Sequence, residues 1–202
     1  MSSGYRKVLF RLAQDESGYP PASVEGLWAR PEQGGYRVDS IPFHVYGVAP
    51  GDLVVAREEG ADAWFEGVLH SGGSSVFRVI VRPPETLQQV QAALVEFGCV
   101  CEAEKAVRML AVHVLPEQVP DTLLYYLVTQ REAGVLDFEA GVLRHRIPDD
   151  LRSPPALAIR CGLGPLPKGL EQPGVQPVGH PHRQRRPPNA VGLRVSAFDM
   201  LH

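Results

Sequence analysis

Between Val38 and Val81 the chain gathers two histidines and three acids that could do chemistry: Asp39, His44, Asp52, Glu66 and His70. Carboxylate beside imidazole is the minimum set for general acid–base work or for a metal site. His44, Asp52, Glu66 and His70 are the acid–base candidates if the protein is an enzyme. Their spacing fixes nothing, because neither H-x-x-x-H nor H-E-x-x-H occurs. The plainer reading is that Asp52 bonds backbone N–H groups of its own turn and that the histidines sit at strand ends. No metal and no cofactor is therefore expected. For a binding role the candidate contact residues are Asp39, Phe43, Ser71, Ser74 and Arg78.

Other groupings carry weaker chemistry. His70-Ser71-Gly72-Gly73-Ser74-Ser75 is rich in glycine and hydroxyl, as phosphate-cradling loops are. It lacks the Walker lysine, and G-x-S-x-G is absent, so a hairpin turn is the simpler assignment. Arg6, Lys7, Arg11, Arg78 and Arg82, with Trp28, Trp64 and Phe77, could form an RNA-binding face. No RNP-like run accompanies them, which leaves core aromatics flanked by solvated bases. Cys99 and Cys101 are spaced C-x-C, off the C-x-x-C pattern of redox and zinc sites. With Cys161 the cysteine count is odd, which points to reduced thiols in the cytoplasm. His180-Pro181-His182-Arg183-Gln184-Arg185-Arg186 is read as a solubilising linker.

Bulk composition narrows the classes. The chain has 202 residues, 44% hydrophobic and 21% charged, an ordinary globular balance. Net charge of -3 argues against general nucleic-acid affinity. No apolar run approaches membrane-spanning length, and no signal peptide is read at the N-terminus.

The elements that must position these residues fall in two groups. Tyr5–Leu12, Ser23–Arg30, Tyr36–Ser40, Leu53–Arg57, Ala63–Leu69 and Ser75–Arg82 alternate apolar and polar residues, as half-buried strands do. Pro31-Glu32-Gln33-Gly34-Gly35 and Ala49-Pro50-Gly51-Asp52 read as turns. Residues 41–47 are apolar but broken by Pro42, so they form an edge, a bulge or a buried connection. After Pro83-Pro84 the period changes: Leu87, Val90, Leu94 and Phe97 make one helical stripe. Cys99–Glu104 and Ala106–Leu115 read as strands. A second helix opens with Asp121 as N-cap and carries Leu123, Leu124, Leu127 and Val128. Val135–Leu143 is a last strand.

The fold expected is α+β. Residues 1–82 form an antiparallel, barrel-like sheet, and residues 74–146 form a ferredoxin-like split β-α-β half, with Ser75–Arg82 serving both. Residues 147–202 form an irregular tail: ten of nineteen prolines lie between Pro148 and Pro188. Val191–Leu201 regains apolar residues and reads as a short docking segment.

The series G-Y-R-V-D-S-I-P-F at Gly35–Phe43, G-V-A-P-G-D-L-V at Gly47–Val54 and S-G-G-S-S-V-F-R-V at Ser71–Val79 resembles a bacterial family of domains of unknown function. Members share I-P-F, G-x-A-x-G-D and S-G-x-S-T-x-R-V. They also carry a helix ending in G-C, here Gly98-Cys99, and an aromatic–Glu pair, here Phe138-Glu139. Ser75 stands where Thr is usual and His44 where an aromatic or apolar residue is common. The resemblance covers about Tyr5–Leu143 and implies bacterial origin and domain limits, not an activity.

Two function classes follow. The first is a non-catalytic module that binds a protein partner, as a regulator or immunity-type inhibitor. The second is a small enzyme of specialised metabolism, with a small-molecule ligand held between barrel and helices. RNA binding is a weaker third. No membrane partner is expected, and oligomeric state is left open.

Overall fold

The computed structural model describes residues 4–151. Cys161, the His180–Arg186 run and the Val191–Leu201 segment lie outside the described residues.

The first half is a five-stranded closed barrel of β1 (Arg6–Arg11), β2 (Val24–Glu32), β3 (Gly35–Val38), β4 (Leu53–Glu59) and β5 (Asp62–His70). Strand alternation sends Val8, Phe10, Leu27, Ala29, Val38 and Val54 inward, where they form one buried cluster. Successive strands pair antiparallel, but β5 closes on β1 in parallel, with Val8 opposite Ala63. This corrects the all-antiparallel expectation. In an up-and-down meander of odd strand number the first and last strands run the same way, so the seam must be parallel.

The tryptophans also depart from expectation. Trp28 alternates with Leu27 and Ala29, and Trp64 with Ala63 and Phe65, so both rings lie outside the barrel. The Lys7 ammonium sits 4.8 Å from the Trp28 centroid and the Arg11 guanidinium 4.0 Å from that of Trp64. Of the three aromatics read as core, only Phe77 is fully buried.

The second half is a four-stranded sheet of β6 (Ser75–Val81), β7 (Val100–Glu104), β8 (Met109–Val114) and β9 (Leu136–Val142), in the order β7-β8-β6-β9. Helix α1 (Leu87–Glu96) joins β6 to β7, and α2 (Asp121–Glu132) joins β8 to β9. Both helices cover one face: Val90, Leu94, Leu123, Leu124 and Leu127 pack with Phe77, Val79, Leu110, Val112 and Phe138. Asp121 is the first helical residue rather than the cap. Pro120 takes the cap position and supplies no side-chain hydrogen bond. β8 starts at Met109, later than expected, because residues 105–108 turn through Arg108 at φ 55°. The strand expected to serve both halves, β6, pairs with β8 and β9.

What joins the halves is the segment 41–52. Val45 and Val48 enter the barrel cluster, while Ile41, Phe43 and Ala49 pack with Val76, Met109 and Ala111 on the helix-free face of the second sheet. The apolar stretch broken by Pro42 is thus a buried connection, a strap with one side in each core. After β9 the chain turns back: Leu143, Ile147 and Leu151 pack on the helix-side core, ending in a 3-10 turn at Asp149–Leu151 rather than in extended chain.

Candidate functional site

The polar side chains converge on the joint between strap, barrel and second sheet. Asp52, fully buried, closes the 49–52 turn: Ala49 N–H donates to Oδ2 at 2.9 Å. Its other oxygen accepts from Gly72 N–H at 2.8 Å. Arg144, just past β9, forks onto both oxygens at 2.6 and 2.7 Å and also donates to the Gly47 carbonyl at 3.2 Å. One carboxylate therefore ties a barrel turn, the inter-sheet loop and the chain after β9. Such pairs add little net stability when whole, but losing one partner leaves a buried charge uncompensated.

A second ion pair lies deeper. Arg78, at the centre of β6, stands directly across from Glu139 of β9 and donates to it at 2.8 Å. Both side chains are nearly solvent-free, 2% and 9% exposed, so the pair is an interior one. The other Arg78 fork arm donates to the Val45 carbonyl of the strap at 2.6 Å. Tyr46 covers the guanidinium with its ring at 3.9 Å and donates its hydroxyl to Glu139 at 3.0 Å. Burial pushes the Tyr46 phenol up to about 12. The strap backbone is fixed from below by Glu25, whose carboxylate accepts the N–H groups of Phe43, His44 and Val45 at 2.7–2.8 Å.

His44 lies in this joint, its ring edge-on to Tyr19 with centroids 5.7 Å apart. Burial, helped by the Arg78 charge, pushes its pKa down to about 4. Among the described residues, His44 Nδ1 and Arg78 Nε are buried without a hydrogen-bond partner.

The arrangement closest to a nucleophile–base pair is Ser75 with His145. His145 Nε2 faces the Leu115 carbonyl at 2.9 Å, and a carbonyl only accepts, so Nε2 carries the proton. Nδ1 then accepts the Ser75 hydroxyl at 2.7 Å. Ser75 Oγ in turn accepts the backbone N–H groups of Arg144 at 2.8 Å and His145 at 3.2 Å. A fully buried oxygen with both lone pairs taken is a poor nucleophile. Next to it, Ser74 and His113 share a buried hydrogen bond of 2.9 Å.

The residues singled out from the sequence are mostly kept apart. Among the described residues, no hydrogen bond joins any two of His44, Asp52, Glu66 and His70. Asp52 is structural and His44 half-buried, whereas Glu66 is exposed beside Arg57 at 3.8 Å and His70 is exposed at the end of β5. Of the contact candidates, Asp39 lies at the surface with Tyr5 and Arg30, and exposed Ser71 caps Gly73 N–H. Phe43, Ser74 and Arg78 are buried. The Ser71–Ser75 loop is not a hairpin, because β5 and β6 lie in different sheets. Reading the sequence alone missed Glu25, His113, Arg144 and His145. Glu25 had a signal: it shares the inward parity of Leu27 and Ala29, where an acid needs donors. Arg144 and His145 had none, since their partners lie 92 and 70 residues away.

Among the described residues no group of three or more histidines, cysteines or acids lies together in a way that could hold a metal ion. Cys99 and Cys101 are free, with thiols pushed up by burial to about 11 and about 12. Among the described residues no helix is long and apolar enough to cross a membrane.

Residues 25–138 match a family model described as a domain of unknown function, DUF4265. A hypothetical protein from Neisseria gonorrhoeae has a similar solved structure, with TM-score 0.59 and 18% identity, covering 72% of this chain and 100% of that one. At that identity the likeness speaks for the fold alone. No curated protein matches this chain.

Proposed function

Since the chain belongs to the DUF4265 family of domains of unknown function, no activity is inherited from it, and we propose a non-catalytic module that binds a protein partner. One observation carries this reading: the candidate acid–base groups do not converge, since Asp52 is tied into interior hydrogen bonds, His44 is half-buried at the strap, and Glu66 and His70 stand on open surface. Asp52 is held by Arg144 and two backbone N–H groups, and His70 and Glu66 are apart on β5. Paired acid–base work needs two such groups facing one bound substrate, and no two of these are brought together.

We read the second half as ferredoxin-like, and the order β7-β8-β6-β9 with one helix in each crossover supports that reading. The free thiols Cys99 and Cys101 support a reducing, cytoplasmic setting. The test is affinity capture from the source cells on full-length protein, with His44→Ala and His70→Ala in parallel. The expected result is a stoichiometric protein partner retained equally by all three. Loss of the partner by a correctly folded His44→Ala protein counts against the module. So does finding no partner while a metabolite raises the melting temperature.

A further inference from the structure

Residues 143–151 leave β9 and return across the helix-side core, where Leu143, Ile147 and Leu151 pack. Polar fastenings at the start of this return segment hold it to the sheet: Arg144 on Asp52, and the Arg144 and His145 amides on Ser75 Oγ. The second fastening requires one particular form of the His145 ring. Nε2–H is spent on the Leu115 carbonyl, and Nδ1 must be bare to receive the Ser75 hydroxyl.

We propose that His145 is a proton-operated latch: the neutral ring pins residues 143–151 to the sheet, and its protonation releases their attachment at Ser75. The reason is a count of hydrogens. Ser75 Oγ has one hydrogen to give and two lone pairs, and both lone pairs already hold the Arg144 and His145 amides. A protonated His145 would present Nδ1–H to that same oxygen. Four hydrogens then meet at one hydroxyl, so one of the three N–H donors must let go, and the His145 amide at 3.2 Å has the longest contact.

Charged groups of both signs surround the ring. The Arg144 guanidinium, on the same segment, is a permanent cation balanced by Asp52 of the 49–52 turn. From β8, the His113 ring lies within reach of His145 and is itself held below the ordinary imidazole value, chiefly by burial. Glu117, beyond β8, supplies a negative charge near His113. The hydrogen count at Ser75 Oγ sets the direction: the fastening is made with the His145 ring neutral and is lost when the ring takes up a proton.

The test uses the full-length chain and amide hydrogen exchange at Arg144 and His145, corrected for intrinsic pH dependence. Amides of β8 serve as the internal reference. From about pH 8 down to about pH 4.5, a span covering imidazole titration, protection of the two amides relative to β8 should fall. One-proton linkage sets the slope at about tenfold per pH unit below the transition. In His145→Asn, whose side-chain oxygen can accept the Ser75 hydroxyl but cannot titrate, the ratio should stay flat. A constant ratio in the wild type overturns the latch, as does the same loss in the variant. Should the variant not fold, the wild-type imidazole resonances decide. Loss of protection that follows the titration of His44 or His113 instead of His145 equally overturns it.

Discussion

At the scale of single residues, the polar groups of this protein are mostly structural, and pH is where that becomes measurable. His44 is half-buried at the strap, its pKa pushed by burial to about 4 from an ordinary 6.5. The folded state favours the neutral ring, so its contribution is complete above pH 6.5 and is lost as pH falls toward 4. Between about pH 7 and about pH 5 this amounts to roughly 1–2 kcal/mol, allowing for partial solvation of the ring. His44→Phe should remove that part of the pH dependence. Denaturant midpoints of both proteins at the two pH values check it, and parallel pH slopes would show that His44 is not the titrating group. Residue roles were legible in the sequence only where the partner is local. Asp52 was readable as a turn residue because Ala49 is three positions away, but its ion pair with Arg144 was not. Arg78 was read as a contact residue or a solvated base, yet it is buried, and nothing in β6 reveals that Glu139 lies opposite it, since cross-strand register is not written in either strand.

Among the elements, the strands and helices were legible because alternation and the 3.6-residue stripe are local properties. β2, β4, β5, β6, α1 and β9 lie within a few residues of where the pattern put them. The sheet to which each strand belongs was less legible. The Ser71–Ser75 loop has a hairpin's composition, yet it passes from one sheet to the other, close against the 49–52 turn. A Cβ at Gly72 would lie 2.5 Å from both the carbonyl carbon and oxygen of Gly51. Gly72→Ala must separate loop and turn and weaken the Gly72 N–H bond to Asp52, at a cost of roughly 2–4 kcal/mol. Gly67→Ala, where nothing lies within 4 Å of the added carbon, should be within about 0.5 kcal/mol of neutral. Chemical unfolding of the two variants measures the contrast. Equal stabilities would mean that the loop and turn do not approach as closely as described.

For the whole molecule, the strap makes barrel and sheet one unit. Val45 and Val48 belong to one core, and Ile41, Phe43 and Ala49 to the other, so neither half can unfold without exposing the strap's apolar residues. A single transition is the expected outcome. Both tryptophans, Trp28 and Trp64, report on the barrel, while the helices α1 and α2 lie in the second half. Tryptophan fluorescence and far-ultraviolet circular dichroism should therefore give coincident denaturant curves. Separated midpoints would show that the halves come apart. The parallel seam of the barrel also has a consequence for the order in which the chain is made. Translation delivers β1 first, but its second neighbour, β5, emerges only after Ala63 and Trp64 have been added. Closure of the barrel thus waits for the strand that is made last. Even then Asp52 has only its backbone donors, because Arg144 follows 92 residues later. The growing chain carries that carboxylate without its cation through the synthesis of the entire second sheet.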